Sequence, residues 1–241
     1  MSGCDAFVDE LWALALDGRA NLMSARFHRA WLDANRARDD IDPAILNEPW
    51  PTQLKPTDKS RRGFGLIRRL ALPDVPIYEQ PLLVADVQQR VRDCYDPYHQ
   101  TLANLIDEVH RQHGFCLHLD CHSMKSVGNA MNEDNGARRP DMVVSDLDGL
   151  SAAPQVTRCV AELLRAEGFG VNVNDPYKGE ELIRRHSAPA AGRHSVQIEI
   201  NRALYMDEQR FQKTAGFDVL AQQLRSFVSA LSIQLPILQT P

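Results

Sequence analysis

The stretch Gly114-Phe-Cys-Leu-His-Leu-Asp-Cys-His-Ser-Met124 decides how the chain is read. Phe115, Leu117 and Leu119 alternate with Cys116, His118 and Asp120, the two-residue period of a strand. Gly114 separates this run from a helix-like segment before it. Residues two apart on a strand share a face, so Asp120 and His122 project together at the strand's C-terminal end, where open α/β sheets bind ligands. An imidazole beside a carboxylate is either a metal ligand held by an outer partner or a general base held by its orienter. The plainer alternative is a polar strand end with a solvated histidine. Alternation turns Cys121 away from His122, as an inert buried thiol.

On the N-terminal side, Leu83 to His113 has helical periodicity interrupted at Asp96-Pro97. Asp as a cap and Pro at a first helical position predict two helices, or one sharply kinked helix. Asp5 to Leu16 is an amphipathic helix with acids in its first turn, ended by Asp17-Gly18. Ala25 to Asp33 reads as a strand leading into Ala34-Asn-Arg36. Residues 37–62 carry Pro43, Pro49, Pro51 and Pro56 and form a long excursion, a length typical of functional or mobile loops. Phe64 to Leu72 predicts a short strand. On the C-terminal side, residues 125–140 are a polar loop and Asp141 to Asp146 a buried strand. Ala153 to Glu167 is a helix closed by Gly168, and Phe169 to Val173 a strand. A loop over 174–193, a strand from His194 to Ile200 and a helix from Phe217 to Ile233 complete the chain. Strands alternating with helices predict a three-layer α/β/α fold with a mostly parallel or mixed central sheet, over one domain spanning residues 1–241.

Composition narrows the function. The 241 residues are 44% hydrophobic and 24% charged, ordinary for a globular protein, and the net charge of −5 argues against a general nucleic-acid binder. Lys59-Ser-Arg-Arg62 and Arg68-Arg69 form a solvated basic loop or a local anion site. Cys4, Cys94, Cys116, Cys121 and Cys159 are odd in number and contain no Cys-x-x-Cys pair, which fits a reducing compartment. No apolar run reaches membrane-span length, and Asp5, Asp9 and Glu10 exclude the basic start of a signal peptide. The expectation is a cytoplasmic protein with no nucleic-acid or membrane partner.

Polar clusters sit at three predicted strand ends: Asp33-Ala-Asn-Arg36, Asp120-Cys-His122 and Gln197-Ile-Glu-Ile-Asn-Arg202. A His suits a divalent metal, a Glu is able to take a proton from water, and Arg clamps a carboxylate through two parallel hydrogen bonds. These runs, with Phe27-His-Arg-Ala-Trp-Leu-Asp33, Tyr95-Asp-Pro-Tyr-His99, Asn174-Asp-Pro-Tyr-Lys-Gly179 and Ala203-Leu-Tyr-Met-Asp207, resemble the N-formylglutamate amidohydrolase family over nearly the whole chain.

The resemblance implies a zinc-carboxypeptidase-like and aspartoacylase-like fold. It implies hydrolysis of the formyl amide of N-formylglutamate, a step in histidine breakdown, with zinc or another divalent metal as cofactor and a small N-acyl amino acid as substrate. Residue by residue, it makes His122 a metal ligand, Asp120 its orienter through the far ring nitrogen, and Glu199 the general base. Arg29 would support the oxyanion. Asn35 and Arg36 would hold substrate carboxylates, with Arg202 and Lys178 as further anion contacts. The family's first strand ends in a Pro-His-Gly or Pro-His-Ser-Gly turn whose His is another ligand. Here Met1-Ser-Gly-Cys-Asp5 leads straight to a helix, so that strand and ligand are expected to be missing, with Asp5 as a second ligand. An upstream start, a substitute among His28, His118, His186 and His194, or an inactive ligand-binding relative each account for this. Ser145-Asp-Leu-Asp148 and Glu180 depart from the family pattern and leave a different N-acyl amino acid open as substrate.

Overall fold

The computed structural model describes residues 3–72, 75–128, 134 and 136–239. Met1, Ser2 and part of the expected 125–140 loop lie outside the described residues. Helix α1 covers Val8–Leu16, α2 Asp58–Arg61, α3 Val84–Arg90 and α4 Asp96–His113. Strands β1 (Leu70–Leu72) and β2 (Val75–Pro76) form a small antiparallel pair. Then follow β3 (Cys116–Met124), β4 (Met142–Ser145), α5 (Pro154–Ala166), β5 (Val171–Val173), α6 (Glu181–Arg185), β6 (Arg193–Asn201) and α7 (Gly216–Leu238). By contacts the chain falls into two compact units, one of residues 1–4 and 25–104, the other of residues 5–24 and 105–241.

The larger unit is built on a four-stranded sheet of order β3-β6-β4-β5, flanked by helices. β3 and β6 are parallel, β4 runs antiparallel to β6, and β5 is parallel to β4. The sheet is therefore mixed, as one branch of the expectation had it. Val196, Ile198 and Ile200 of β6, with Met142 and Val144 of β4, belong to one core with Leu11 and Trp12 of α1, Val160 and Leu164 of α5, and Leu224 and Phe227 of α7. Leu117, Leu119 and Cys121 of β3 pack against that core, so Cys121 does turn away from His122. Each fully buried aliphatic side chain is worth about 1.5–3 kcal/mol. A one-residue slip of β6 would exchange three of them for Gln197, Glu199 and Asn201. The apolar face therefore locks the register of the polar one.

Three local departures from the sequence reading matter. The first helix begins at Val8, because Phe7 adopts a left-handed conformation (φ 64°) that cuts Asp5 off from it. The expected break at Asp96-Pro97 is instead a π-helical turn, Val91–Tyr95, which runs directly into α4 with Asp96 in helical conformation. The Asp96 N–H bonds the Val91 carbonyl five residues back, the π pattern, just before Pro97, which has no N–H to give.

The third departure is in the smaller unit, where residues 25–36 form no strand. The His28 carbonyl accepts the Trp31 and Leu32 N–H groups, and His28 Nδ1 accepts that of Ala30. Asp33 Oδ1 takes the Asn35 N–H at 3.1 Å, an Asx turn. Side chains that bond their own backbone compete with an extended ladder. The unit packs Leu32, Ile41, Ile45, Leu66, Ile67, Val87, Val91 and Tyr95 into its own core.

Candidate active site

The face of the sheet opposite the apolar core carries His118, Asp120 and His122 of β3 and Ser195, Gln197 and Glu199 of β6. His122 and Glu199 are register partners on adjacent parallel strands, as are Asp120 and Gln197. Neighbouring strands lie about 4.8 Å apart, so the imidazole and the carboxylate stand side by side on one face.

His122 lies between two carboxylates. Its Nε2 is 3.0 Å from Asp120 Oδ1, and its Nδ1 is 3.1 Å from Asp5 Oδ2. Asp5 reaches this place because it precedes α1 instead of belonging to it. The Tyr205 hydroxyl donates to the Ala6 carbonyl at 2.9 Å and secures the adjoining residue. Burial opposes a charge on His122, but Asp120 and Asp5 outweigh it and hold the imidazole protonated well above its ordinary range. His118, further along the same strand face, is pushed down by burial and stays neutral, its Nδ1 3.2 Å from Ser195 Oγ.

Gln197 Nε2 donates to Glu199 Oε1 at 3.1 Å. Arg139 is fixed by Asp134 through two bonds of 2.7 and 2.9 Å and by the Lys125 carbonyl, and its guanidinium lies over the Tyr177 ring at 5.1 Å. Burial would lower Arg139, but Asp134, Tyr177 and Glu199 together raise it. The Tyr177 phenol is pushed up by burial and then by the Glu199 charge. Arg139 and Tyr177 were missed from the sequence. Tyr177 lies inside Asn174-Asp-Pro-Tyr-Lys-Gly179, from which the sequence reading takes its neighbour Lys178 as an anion contact.

The Lys178 ammonium is at the surface, 2.9 Å from Asp148. Arg202 is 4% exposed, and its Nε donates to Ser123 Oγ at 3.0 Å. Arg29, Asn35 and Arg36 belong to the smaller unit. Arg29 pairs with Asp33 at 3.1 Å, while Arg36 donates to the Phe64 and Asn35 carbonyls at 2.7 and 2.8 Å. Burial would raise Asp33, but Arg29, Arg36, Arg68 and the Asn35 N–H hold it far below the usual carboxylate range. Of the other histidines weighed as ligands, His28 accepts the Ala30 N–H and His194 Nδ1 the Ala153 N–H. His186 follows the last turn of α6, its N–H on the Leu182 carbonyl.

The donors fit part of a metal shell. An imidazole nitrogen and a carboxylate oxygen bound at about 2.0–2.2 Å around a tetrahedral ion would be roughly 3.3 Å apart. His122 Nδ1 and Asp5 Oδ2 nearly span that edge, and Asp120 on Nε2 sets the ring as outer partners do. Among the described residues no group of three His, Cys, Asp or Glu side chains converges to hold an ion. Among the described residues, His122 Nδ1 and Asp5 Oδ2 are the two donors whose spacing fits that edge.

The family model described as N-formylglutamate amidohydrolase matches residues 1–206. An N-formylglutamate deformylase of Pseudomonas aeruginosa is 26% identical over 213 residues, covering 87% of this chain and 73% of that protein. One from Pseudomonas putida is 25% identical over 207 residues, covering 85% and 71%. The crystal structure of an N-formylglutamate amidohydrolase from Ralstonia eutropha JMP134 superposes with a TM-score of 0.89 at 38% identity, covering 98% of this chain and 85% of that one. No helix among the described residues is long and apolar enough to cross a membrane.

Proposed function

We propose, from the premise that the chain belongs to the N-formylglutamate amidohydrolase family, that it hydrolyses the formyl amide of N-formyl-L-glutamate to glutamate and formate. The single observation carrying this reading is the pairing of His122 with Glu199 across adjacent strands, with Asp5 against the imidazole. His122 Nδ1 and Asp5 Oδ2 would hold a divalent cation, zinc by donor type. When bound, such an ion supplies Lewis acidity to the amide carbonyl and to the attacking water. Glu199, steadied by Gln197 through Oε1, takes a proton from that water and delivers it to the departing amine. Asp120 keeps the imidazole turned with Nδ1 inward. The assignment of Arg29, Asn35 and Arg36 to oxyanion and substrate carboxylates rests on the family resemblance.

A second reading is a ligand-binding relative without turnover. One experiment separates the two. Zinc-loaded protein should release formate from N-formyl-L-glutamate faster than it releases acetate from N-acetyl-L-glutamate or formate from N-formyl-L-leucine. Glu199→Gln should lower kcat by about 10²–10⁴-fold, the usual worth of a general base, while zinc content is unchanged. Bound zinc with no formate above the buffer rate would remove the substrate assignment. Full activity in Glu199→Gln would remove the base.

A further inference from the structure

Among the described residues β3 is an edge strand, paired with β6 alone. The Asp5 carboxylate closes its open side. Asp5 Oδ1 accepts the Ser123 backbone N–H at 2.8 Å and lies 3.2 Å from Ser123 Oγ, while Oδ2 faces His122 Nδ1 at 3.1 Å. The two oxygens thus have different tasks. One is tied to the residue after His122, and the other is presented to His122 itself.

The direction of the Ser123 hydroxyl follows from its second neighbour. Arg202 Nε–H donates to Ser123 Oγ at 3.0 Å, and a second guanidinium nitrogen lies 3.5 Å from the Ser123 carbonyl. A guanidinium has no lone pair to offer, so the serine oxygen must be the acceptor on that side. Its proton is then sent toward Asp5 Oδ1. Arg202, Ser123, Asp5, His122 and Asp120 form one continuous chain of contacts. Arg202 had been assigned to substrate from the sequence. It is buried and donates to Ser123.

We propose that Ser123 and Arg202 are positioning residues, which tie up one oxygen of Asp5 so that the other is presented singly beside His122 Nδ1 for a divalent cation. This rests on the reading of Asp5 and His122 as cation donors. With Oδ1 occupied, Asp5 binds through one oxygen, leaving room in the shell that a two-oxygen mode would fill. Partners of this kind, one bond removed from the ion, change metal affinity by roughly 10–100-fold when removed.

The test is zinc affinity of the full chain, measured by competition with a chromophoric chelator, with the urea midpoint of the zinc-free protein as the folding control. Ser123→Ala should weaken zinc binding by about 10–100-fold with little change in midpoint, and Ser123→Thr, which keeps the hydroxyl, should restore it. Arg202→Gln should weaken binding as well. The double variant Ser123→Ala/Arg202→Gln should be no weaker than the poorer single, because both act through one hydroxyl. If Arg202→Gln does not fold, the Ala and Thr variants of Ser123 decide alone. Asp5→Asn separates the two levels of the claim. Unchanged zinc affinity in Asp5→Asn overturns the donor assignment beneath the proposal. Weakened affinity in Asp5→Asn with wild-type affinity in Ser123→Ala overturns the positioning role by itself.

Discussion

Two buried carboxylate clusters in this protein have opposite characters. Around His122, two carboxylates close on one imidazole. Around Asp33, two guanidiniums, Arg29 and Arg68, pair with one carboxylate, and Arg36 adds its charge. The first cluster stands at the end of a regular strand, against a register locked by buried aliphatics. The second is in a turn held by Asp33 itself, through the Asn35 N–H. Where acids outnumber bases, a cation is invited, whether a proton or a metal ion. Where bases gather on one acid, that acid organises the fold around it. Asp33 is 2% exposed, and so little water reaches it that the arginines carry its solvation.

The comparison breaks most sharply if Asp33 is removed. Asp33→Ala should cost about 3–5 kcal/mol, the usual loss when one partner of a buried ion pair disappears and leaves the other unpaired. Urea unfolding at neutral pH reads it directly. A loss under about 1 kcal/mol would mean the pairs behave like exposed ones, and the hub would lose its organising role. The sign with pH follows from the depressed Asp33 carboxyl. Its contribution is fully present above the ordinary carboxylate pKa and is lost as pH falls toward the folded value.

A smaller effect sharpens the same cluster. Tyr95 and His99 come from Tyr95-Asp-Pro-Tyr-His99, one of the runs that carry the family resemblance. The Tyr95 hydroxyl donates to the Arg36 carbonyl at 2.8 Å, and His99 Nε2 lies 3.0 Å from the Ala34 carbonyl. Both side chains therefore grip the backbone of the turn after Asp33. Tyr95→Phe should cost about 1–3 kcal/mol, the price of a buried carbonyl left without its donor. An unchanged urea midpoint would show that the turn holds itself.

The contrast also explains what was legible in the sequence. Strand alternation told the faces of β3 and β6 apart and put Asp120 and His122 on one side, while the role of Glu199 came from the family resemblance, and Gly168 closed α5 where expected. The directions of β4 and β5 were not legible, because strand polarity depends on how distant segments pair. Asp5 was ambiguous for a local reason. A left-handed Phe7, a conformation that costs a bulky residue energy, separates its carboxylate from the helix. The Asp33 turn was misread as a strand end because nothing in the periodicity announces a side chain bonding its own backbone. Tyr177 was passed over for Lys178, because a phenol beside Glu199 is visible only once β6 is in place.

The mildest test concerns His194, at the other end of β6 from Glu199. Its ring is buried against Phe115, with centroids 5.1 Å apart, and Nδ1 accepts the Ala153 N–H at 3.2 Å. That bond requires a bare nitrogen, and burial lowers the pKa of His194 from its ordinary value. The folded state therefore resists protonation more than the unfolded one. The His194 contribution is fully present above the unfolded pKa of about 6.5 and is lost as pH falls through the lower folded value. Asn at this position keeps an acceptor near Nδ1 but does not titrate. His194→Asn should therefore lose less of its urea midpoint than the wild type between pH 7.5 and pH 5.5. Equal losses would mean that the imidazole is protonated as readily in the fold as in water. His194 would then not be held neutral by its bond to the Ala153 N–H, and would differ from His122 only in lacking its two acids.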